Sequence, residues 1–316
     1  MRSTRSPRSH AIRTSRPGDR EDPVRARAEG DISRFVEGAT PLLMEDEARH
    51  NLLLGISHTL RTRPDAYPRW RAWLVEEGGD VLGAALMTPP NNLILSAPRS
   101  EAALGELARL LHGDGVALPG VTAALPEAER FADAWAELAP VTATRAVGHG
   151  IYRLTVPRRV RPAHGRARPA GPGHRALLVD WCRAFTAEAT ATMPDEAFID
   201  RMVDTRLASE DAGMWLWEDP APVSLAGFGG RTPNGIRVGP VYTPLEHRGR
   251  GYATSLVATL SGWLLEQGHR FCFLYADLDN PTANRIYERI GYEYVCGSVE
   301  LRFQAAAANG PSNRRG

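Results

Sequence analysis

Lysine is missing from this chain: among 316 residues all 38 basic side chains are arginine. A phosphate loop of the nucleoside-triphosphatase type needs a lysine after its last glycine to reach the outer phosphates, so that reading is excluded. Cysteine is scarce. Cys182, Cys272 and Cys296 show no metal-ligand spacing and no disulfide framework, which fits a reducing cytoplasm. Cys272 and Cys296 stand in apolar runs and read as small core residues, and no base is paired with any of the three for a covalent acyl-cysteine route. No run of 18 apolar residues occurs, so no transmembrane helix is expected. Neither sign of charge dominates: the formal net charge is +1, which leaves no overall field for nucleic acid or an anionic membrane. Hydrophobic residues make up 43% of the chain, enough for packed cores, and its length allows two domains. Exclusive arginine, with abundant alanine, glycine and proline, fits a GC-rich bacterial genome.

What the chain does have is a glycine-rich junction. Arg248-Gly249-Arg250-Gly251-Tyr252-Ala253 follows a β-rich run at 236–243. It opens a segment in which Ala253, Leu256, Val257, Leu260, Trp263 and Leu264 recur at helical spacing. Two glycines and an alanine at a strand-to-helix junction let main chain approach a ligand closely. The N–H groups at the positive end of the helix can then hold a phosphate or pyrophosphate. A dinucleotide fingerprint would need glycine or alanine where Thr254 stands, so it fits poorly. Within 236–243, Gly239-Pro240 predicts an edge or a bulge, because proline cannot donate to a ladder. A bulge there splays this strand from a buried one at 271–276 and opens a V-shaped gap. Downstream, Asn280-Pro281 starts a second helix as N-cap and first helical residue, with the apolar stripe Ala283, Ile286, Tyr287, Ile290 and a stop at Gly291. A strand follows at 292–296.

The Arg-x-x-Gly-x-Ala pattern of Arg248, Gly251 and Ala253 resembles the acyl-coenzyme A pyrophosphate loop of the GCN5-related N-acetyltransferase (GNAT) family. Asn280-x-x-Ala283-x-x-x-Tyr287, closing in Gly291-Tyr292, is similar to that family's second signature, and the run from Asp277 to Tyr287 looks like its FR47-like branch. The order of elements matches from Gly235 to Phe303. The resemblance implies an α/β (α+β) acyl-CoA N-acyltransferase fold, a mixed and mostly antiparallel sheet with flanking helices, in two tandem copies. It implies an enzyme, an acyltransferase moving an acetyl group from acetyl-CoA to a primary amine by direct attack in a ternary complex, with no metal. Cofactor contacts are implied for Val241, Tyr242, Thr243, Arg248, Gly249, Arg250, Gly251, Tyr252, Ala253, Thr254 and Asn280. Main chain at 241–243 would pair with the pantetheine arm as an added strand. An N–H near Val241 would polarise the thioester carbonyl, and Tyr287 would protonate the leaving thiolate.

The residues leave other readings open. Tyr287 also fits a core tyrosine with its hydroxyl tied to backbone, Asn280 fits a plain N-cap, and Asn284 is a further candidate. No general base is visible, since 236–243 carries no acid. Glu188, Asp277, Asp279, His247 and a water chain are the candidates. A non-catalytic acetyl-CoA-binding sensor or interaction module is the alternative function, and transfer to hydroxyls or of longer acyl chains is a third. Whether the acceptor is a small-molecule or a peptide amine is not legible, because acceptor contacts sit on variable loops. Nor is oligomeric state legible.

Composition marks an Arg/Ser-rich disordered tail (1–30), a Pro/Arg/Gly linker (158–173) and a second disordered tail (305–316); between them the resemblance implies an N-terminal degenerate GNAT-like domain (31–157) and a catalytic GNAT domain (174–304). The tails hold too little apolar surface to offset ordering entropy. The linker, with Pro157, Pro162, Pro169 and Pro172 at or near it, reads as an exposed connection. In the catalytic domain helices are expected at 176–191 and 195–208 and a hairpin at 214–229. The N-terminal half echoes this order. A hairpin over 72–87 turns at Glu77-Gly78-Gly79-Asp80, strands follow at 92–96, 121–125 and 150–156, and helices lie at 102–111 and 127–138. Between Ser96 and Ala102, however, there is no pyrophosphate loop.

Overall fold

The computed structural model describes residues 23–190 and 196–306. Most of the expected first tail, residues 307–316 of the second, and the helix ends expected at Ala191 and Asp195 lie outside the described residues. The first unit runs β1 (Arg25–Glu29), α1 (Ile32–Leu43), α2 (Asn51–Thr62), β2 (Arg71–Glu77), β3 (Asp80–Met87), β4 (Leu93–Leu95), α3 (Ala102–Gly113), β5 (Gly120–Ala124), α4 (Glu127–Ala136) and β6 (Val141–Leu154). The second repeats that order: β7 (Arg166–Pro169), α5 (Arg175–Thr190), α6 (Glu196–Ala208), β8 (Gly213–Glu218), β9 (Pro222–Gly229), β10 (Gly235–Tyr242), α7 (Tyr252–Glu266), β11 (Phe271–Asp277), α8 (Pro281–Ile290) and β12 (Glu293–Ala305).

All of these strands join one sheet, in the order β1-β2-β3-β4-β5-β12-β6-β11-β10-β9-β8-β7. Each unit therefore receives the last strand of the other. β12 pairs with β5, from Ser298–Ala124 to Arg302–Gly120, and β6 pairs with β11, from Cys272–Leu154 to Asp277–His149. β6 and β12 also pair with each other along their lengths, from Glu293–Arg153 to Ala305–Val141. Among the described residues only β4–β5 and β10–β11 are parallel, at equivalent places in the two units.

The exchange extends into the cores. Helices cover both faces, so the inner strands are buried on both sides and read as near-continuous apolar runs. Val299 and Leu301 of β12 pack in the first unit with Trp73, Leu107 and Phe131. Leu154 of β6 packs in the second with Ile236, Leu256, Leu274 and Ile290. On the opposite face α1 and α2 bury Phe35, Leu42 and Leu53 against Leu74 and Leu86, and α5 and α6 bury Leu178 and Val203 against Met214 and Leu225. Among the described residues no helix is long and apolar enough to cross a membrane.

Four expectations need correction. The segment expected as a tail contains β1, and the expected linker contains β7; these are the two outer edges of the sheet. The rest of the linker is fastened to the second unit: Arg158 N–H donates to Ile290 O at 2.7 Å and Ala163 N–H to Ser255 Oγ at 2.8 Å. β6 starts at Val141 rather than Gly150, and β12 runs to Ala305 rather than stopping near Cys296. The β6 extension is largely polar and partly exposed, while the β12 extension alternates, turning Val299 and Leu301 into the first unit's core; both are held by pairing with a strand remote in sequence.

A second seam joins the units. Buried Glu47, between α1 and α2, accepts from Thr232 Oγ1 at 2.6 Å, Asn234 N–H at 2.7 Å and Asn234 Nδ2 at 2.8 Å. Beside it α2 lies directly on the β9–β10 turn, where a Cβ at Gly55 would come within 2.8 Å of Gly230 O. Removing the carboxylate strands three donors. Glu47→Ala is expected to cost about 3 kcal/mol, read as a lower midpoint in chemical denaturation with an unchanged m-value if the fold is otherwise kept.

Candidate functional site

β10 is where the site begins. It pairs with β11 from Gly235–Phe271 to Arg237–Phe273 and then leaves it. With β9 it continues to Tyr242–Leu225, across a register shift between Val238 and Val241 that brackets Gly239-Pro240. Beyond Arg237, then, β10 has no strand on its β11 side. Leu274 to Asp277 of β11 pair only with β6.

Between the parted strands lies a cleft of about 790 Å³. Its floor at one end is the first turn of α7. Gly249 and Gly251 hold the loop with φ of +77° and +81°, backbone that side chains rarely adopt. Gly251 is the N-cap and offers no side chain to the amides that follow it, so the first-turn N–H groups face the cleft without a side-chain cap. Tyr252 turns inward, its hydroxyl donating to Asp219 Oδ2 at 2.6 Å, while His164 Nδ1 lies 2.6 Å from Oδ1. The Tyr252 hydrogen bond, and then His164, hold the Asp219 carboxyl below its ordinary value. The loop is thus pinned by the β8–β9 turn, which His164 of the segment linking the units contacts in its turn.

α8 forms the facing wall. Asn280 caps it, Oδ1 accepting from Ala283 N–H at 3.1 Å, Pro281 follows, and Gly291 ends it with φ +109°. One face turns Tyr287 and Ile290 inward. The Tyr287 ring packs edge-on to Tyr292 with centroids 6.0 Å apart, and burial pushes its phenol up to about 12. No hydrogen bond holds its hydroxyl among the described residues. Asn284 is committed to structure: its Nδ2 donates to Asp277 O at 3.1 Å, and its Oδ1 accepts from Tyr152 Oη at 3.4 Å.

Val241, Tyr242, Thr243, Arg248, Gly249, Gly251, Tyr252, Ala253, Thr254, Asn280 and Tyr287 all line this one cleft; Arg250 is exposed and does not. Of the candidate bases, Glu188, Asp277 and His247 line it and Asp279 does not. Glu188 is already engaged, with Oε2 accepting from Arg248 Nη2 at 2.7 Å and Oε1 from Tyr242 Oη at 3.4 Å. Arg248 also donates through Nε to Thr243 O at 2.8 Å, which ties the loop back to the open strand edge. His149 and Phe185 line the cleft too and were not expected from sequence. His149 lies on the part of β6 not foreseen as strand, so only the register of β6 on β11 reveals it. Among the described residues no cluster of three or more His, Cys, Asp or Glu could hold a metal ion.

Residues 222–301 match the family model described as FR47-like protein. Among curated proteins no sequence matches. In structure the chain is similar to an acetyltransferase from the GNAT family from Colwellia psychrerythraea, with 12% identity, 89% of this chain and 100% of that one covered, and a TM-score of 0.54. It is similar to a GCN5-related N-acetyltransferase from Sphaerobacter thermophilus at 17% identity, with 89% and 96% covered and a TM-score of 0.58. A third similarity is to a tandem GNAT protein from the clavulanic acid biosynthesis pathway, at 14% identity, 91% and 99% covered and a TM-score of 0.56. The chain is a tandem GNAT fold.

The two GNAT units differ at the equivalent place. In the first, the space beside β4 and β5 closes to a void of about 10 Å³, walled by His50, Leu52 and Leu53 of the α2 region. The turn after β4 has no glycine, and one of its amides is taken: His50 Nε2 accepts from Ala97 N–H at 2.9 Å, while Nδ1 donates to Leu43 O at 2.9 Å. Burial holds His50 below its ordinary value near 6.5, and protonating Nε2 would break the Ala97 bond. The stability that neutral His50 contributes is complete above about pH 6.5 and is lost as pH falls. Melting temperature is therefore expected to drop between about pH 7 and about pH 5, more steeply in the parent than in His50→Gln. At the second unit's loop, a Cβ at Gly251 meets nothing nearer than Ala163 Cβ at 3.9 Å, so the cost of Gly251→Ala is backbone alone. About 1–2 kcal/mol of stability is expected to be lost, measurable by thermal unfolding.

Proposed function

We propose that the second unit is an acyl-CoA-dependent N-acyltransferase that moves an acetyl group from acetyl-CoA to a primary amine in a ternary complex. One observation carries this reading: an open strand edge and an uncapped helix N-terminus converge on the same cleft of about 790 Å³. A thioester with a diphosphate at one end and an amide-bearing arm fits that pair of features. Amides of Gly249, Gly251, Tyr252, Ala253 and Thr254 would take the diphosphate on the positive end of α7, with Arg248 supplying charge at the cleft and Arg250 only from the exposed side of the loop. Main chain from Val241 to Thr243 would pair with the arm as an added strand, and Asn280 would close the site. Bound there, acetyl-CoA supplies an activated acyl carbon.

The chemistry left to the protein is positioning and charge. Holding the amine and the thioester in one cleft removes much of the entropic barrier. An N–H near Val241 polarises the carbonyl oxygen. The Tyr287 phenol, kept protonated by burial, donates to the departing sulfur. A thiolate formed against the same apolar wall is a stronger base than it is in water, so a directed hydrogen bond decides the transfer more than the phenol's acidity does. Three free thiols suit a reducing cytoplasm.

The reading is tested by thiol release from acetyl-CoA across a panel of small-molecule and peptide amines, with cofactor uptake followed by calorimetry. Tyr287→Phe is expected to lower kcat about 10²-fold or more while leaving the Kd for acetyl-CoA within about twofold, since a phenol hydroxyl is removed and no packing is lost. A protein that takes up acetyl-CoA but releases no thiol with any amine is a sensor, and the transferase reading fails.

A further inference from the structure

Acid and cofactor elements account for one side of the cleft, but a primary amine arrives as an ammonium and must first lose a proton. β10 has no carboxylate to take it, and Glu188 is held by Arg248 and Tyr242. His247 belongs to the turn leading into the glycine loop, at the diphosphate end of the cleft rather than beside Tyr287. We propose that His149, carried across on β6 from the first unit, is the general base of the second unit's site, with the Asp277 carboxylate standing opposite it on β11. The inference rests on the acyl-transfer reading above.

Three observations converge on it. His149 lines the same cleft as Val241 and Tyr287. In the β6–β11 ladder it stands directly opposite Asp277, so the two side chains leave one face of the sheet with Cβ atoms about 4.5–5.5 Å apart. Tyr275, on the diagonal of the same face, meets the imidazole edge-on, with centroids 5.9 Å apart and planes at 89°. Its own hydroxyl accepts from Asn51 Nδ2 of α2 at 3.3 Å, so the first unit steadies the ring from behind.

The ionisable groups facing the imidazole are Asp277 and Tyr275 on β11 and Glu300 on β12. Burial disfavours the imidazolium; Glu300 and then Asp277 favour it; burial wins, and the ring titrates below its ordinary value. A ring neutral at pH 7 can accept a proton, and nearby carboxylates stabilise the charge it then carries.

The protons balance. The ammonium gives one proton to the free nitrogen of His149. The nitrogen lone pair attacks the acyl carbon, the C–N bond forms and the C–S bond breaks. Tyr287 gives its proton to sulfur and is restored by the second proton leaving nitrogen. His149 returns its proton to solvent, so amide, free thiol and one proton are the products.

The test uses the full chain, acetyl-CoA and the best amine of the panel. His149→Gln is expected to lower kcat/KM by about 10²–10⁴-fold with acetyl-CoA uptake unchanged by calorimetry. Its rate should lose the plateau of the parent and climb about tenfold per pH unit toward the amine's own pKa. In Asp277→Asn the acidic limb of the parent profile should move to lower pH, because one carboxylate that favours the imidazolium is gone; a merely structural Asp277 would lower the rate without moving the limb. If the parent is active and His149→Gln keeps both its rate within about threefold and its acidic limb, the proposal falls while the transferase reading stands. If the parent transfers to no amine, both fall.

Discussion

The pairing of β6 with β12 is the constraint on which the rest depends. Each strand closes the other unit's sheet and puts side chains into the other unit's core, Leu154 in one direction and Val299 and Leu301 in the other. Neither unit can bury its inner face without its partner's last strand. The consequence is one sheet and four linked hydrophobic clusters rather than two domains on a tether. Because the segment between β6 and β7 must lead from the middle of the sheet to its outer edge, it runs along the second unit. On the way it fixes Ser255 through Ala163, and Asp219 through His164. The geometry of the glycine loop is therefore set partly by a segment that composition marks as a connection.

The cleft follows from a local contradiction inside that sheet. β10 has a continuous partner in β9 and a partial one in β11, and the irregularity between Val238 and Val241 resolves the mismatch by bending the strand away from β11. Strand edges normally have to be satisfied or covered. Here a cleft is framed by two edges left open toward each other, with α7 aimed at the gap. Arg248, tied to Thr243 O and Glu188, joins the strand edge, the loop and α5 at one point.

How much of this was legible varies with how local the cause is. The glycine loop, the Asn280-Pro281 cap, the Gly291 stop and the stripe carrying Tyr287 are short-range signals and appear at the expected positions. The splay at Gly239-Pro240 was legible for the same reason. The edge strands were not. Arg25-Ala26-Arg27 and Arg166-Ala167-Arg168 have the same composition and the same role at opposite ends of the sheet, and each meets a glutamate across a ladder, Arg27 in addition to Glu29 on its own strand. Arg27 meets Glu76 through two hydrogen bonds, at 3.0 and 2.8 Å, and Arg168 lies 3.1 Å from Glu218. In sequence such stretches look like solvated tail and linker; in a sheet they are charged edges that discourage further pairing. His149 was missed for a related reason, since its place at the cleft comes from its pairing across the ladder and not from its neighbours along the chain.

The contrast between the units shows which parts of such a fold are separable. A ligand cleft at β4–β5 can be lost by a few substitutions: the first unit has no glycine after β4, lets His50 take the Ala97 amide, and fills the remaining space with Leu52 and Leu53. Its last strand cannot be lost in the same way. β6 supplies the ladder for Leu274 to Asp277, and without it those residues would have open edges on both sides and the cleft would have no wall. The same strand places His149 opposite Asp277. The first unit thus lacks the cleft at this place and still supplies the strand that walls the other. A scaffold strand that borders a cleft on one face is well placed to supply a side chain to it, because its position is already fixed by pairing on both sides.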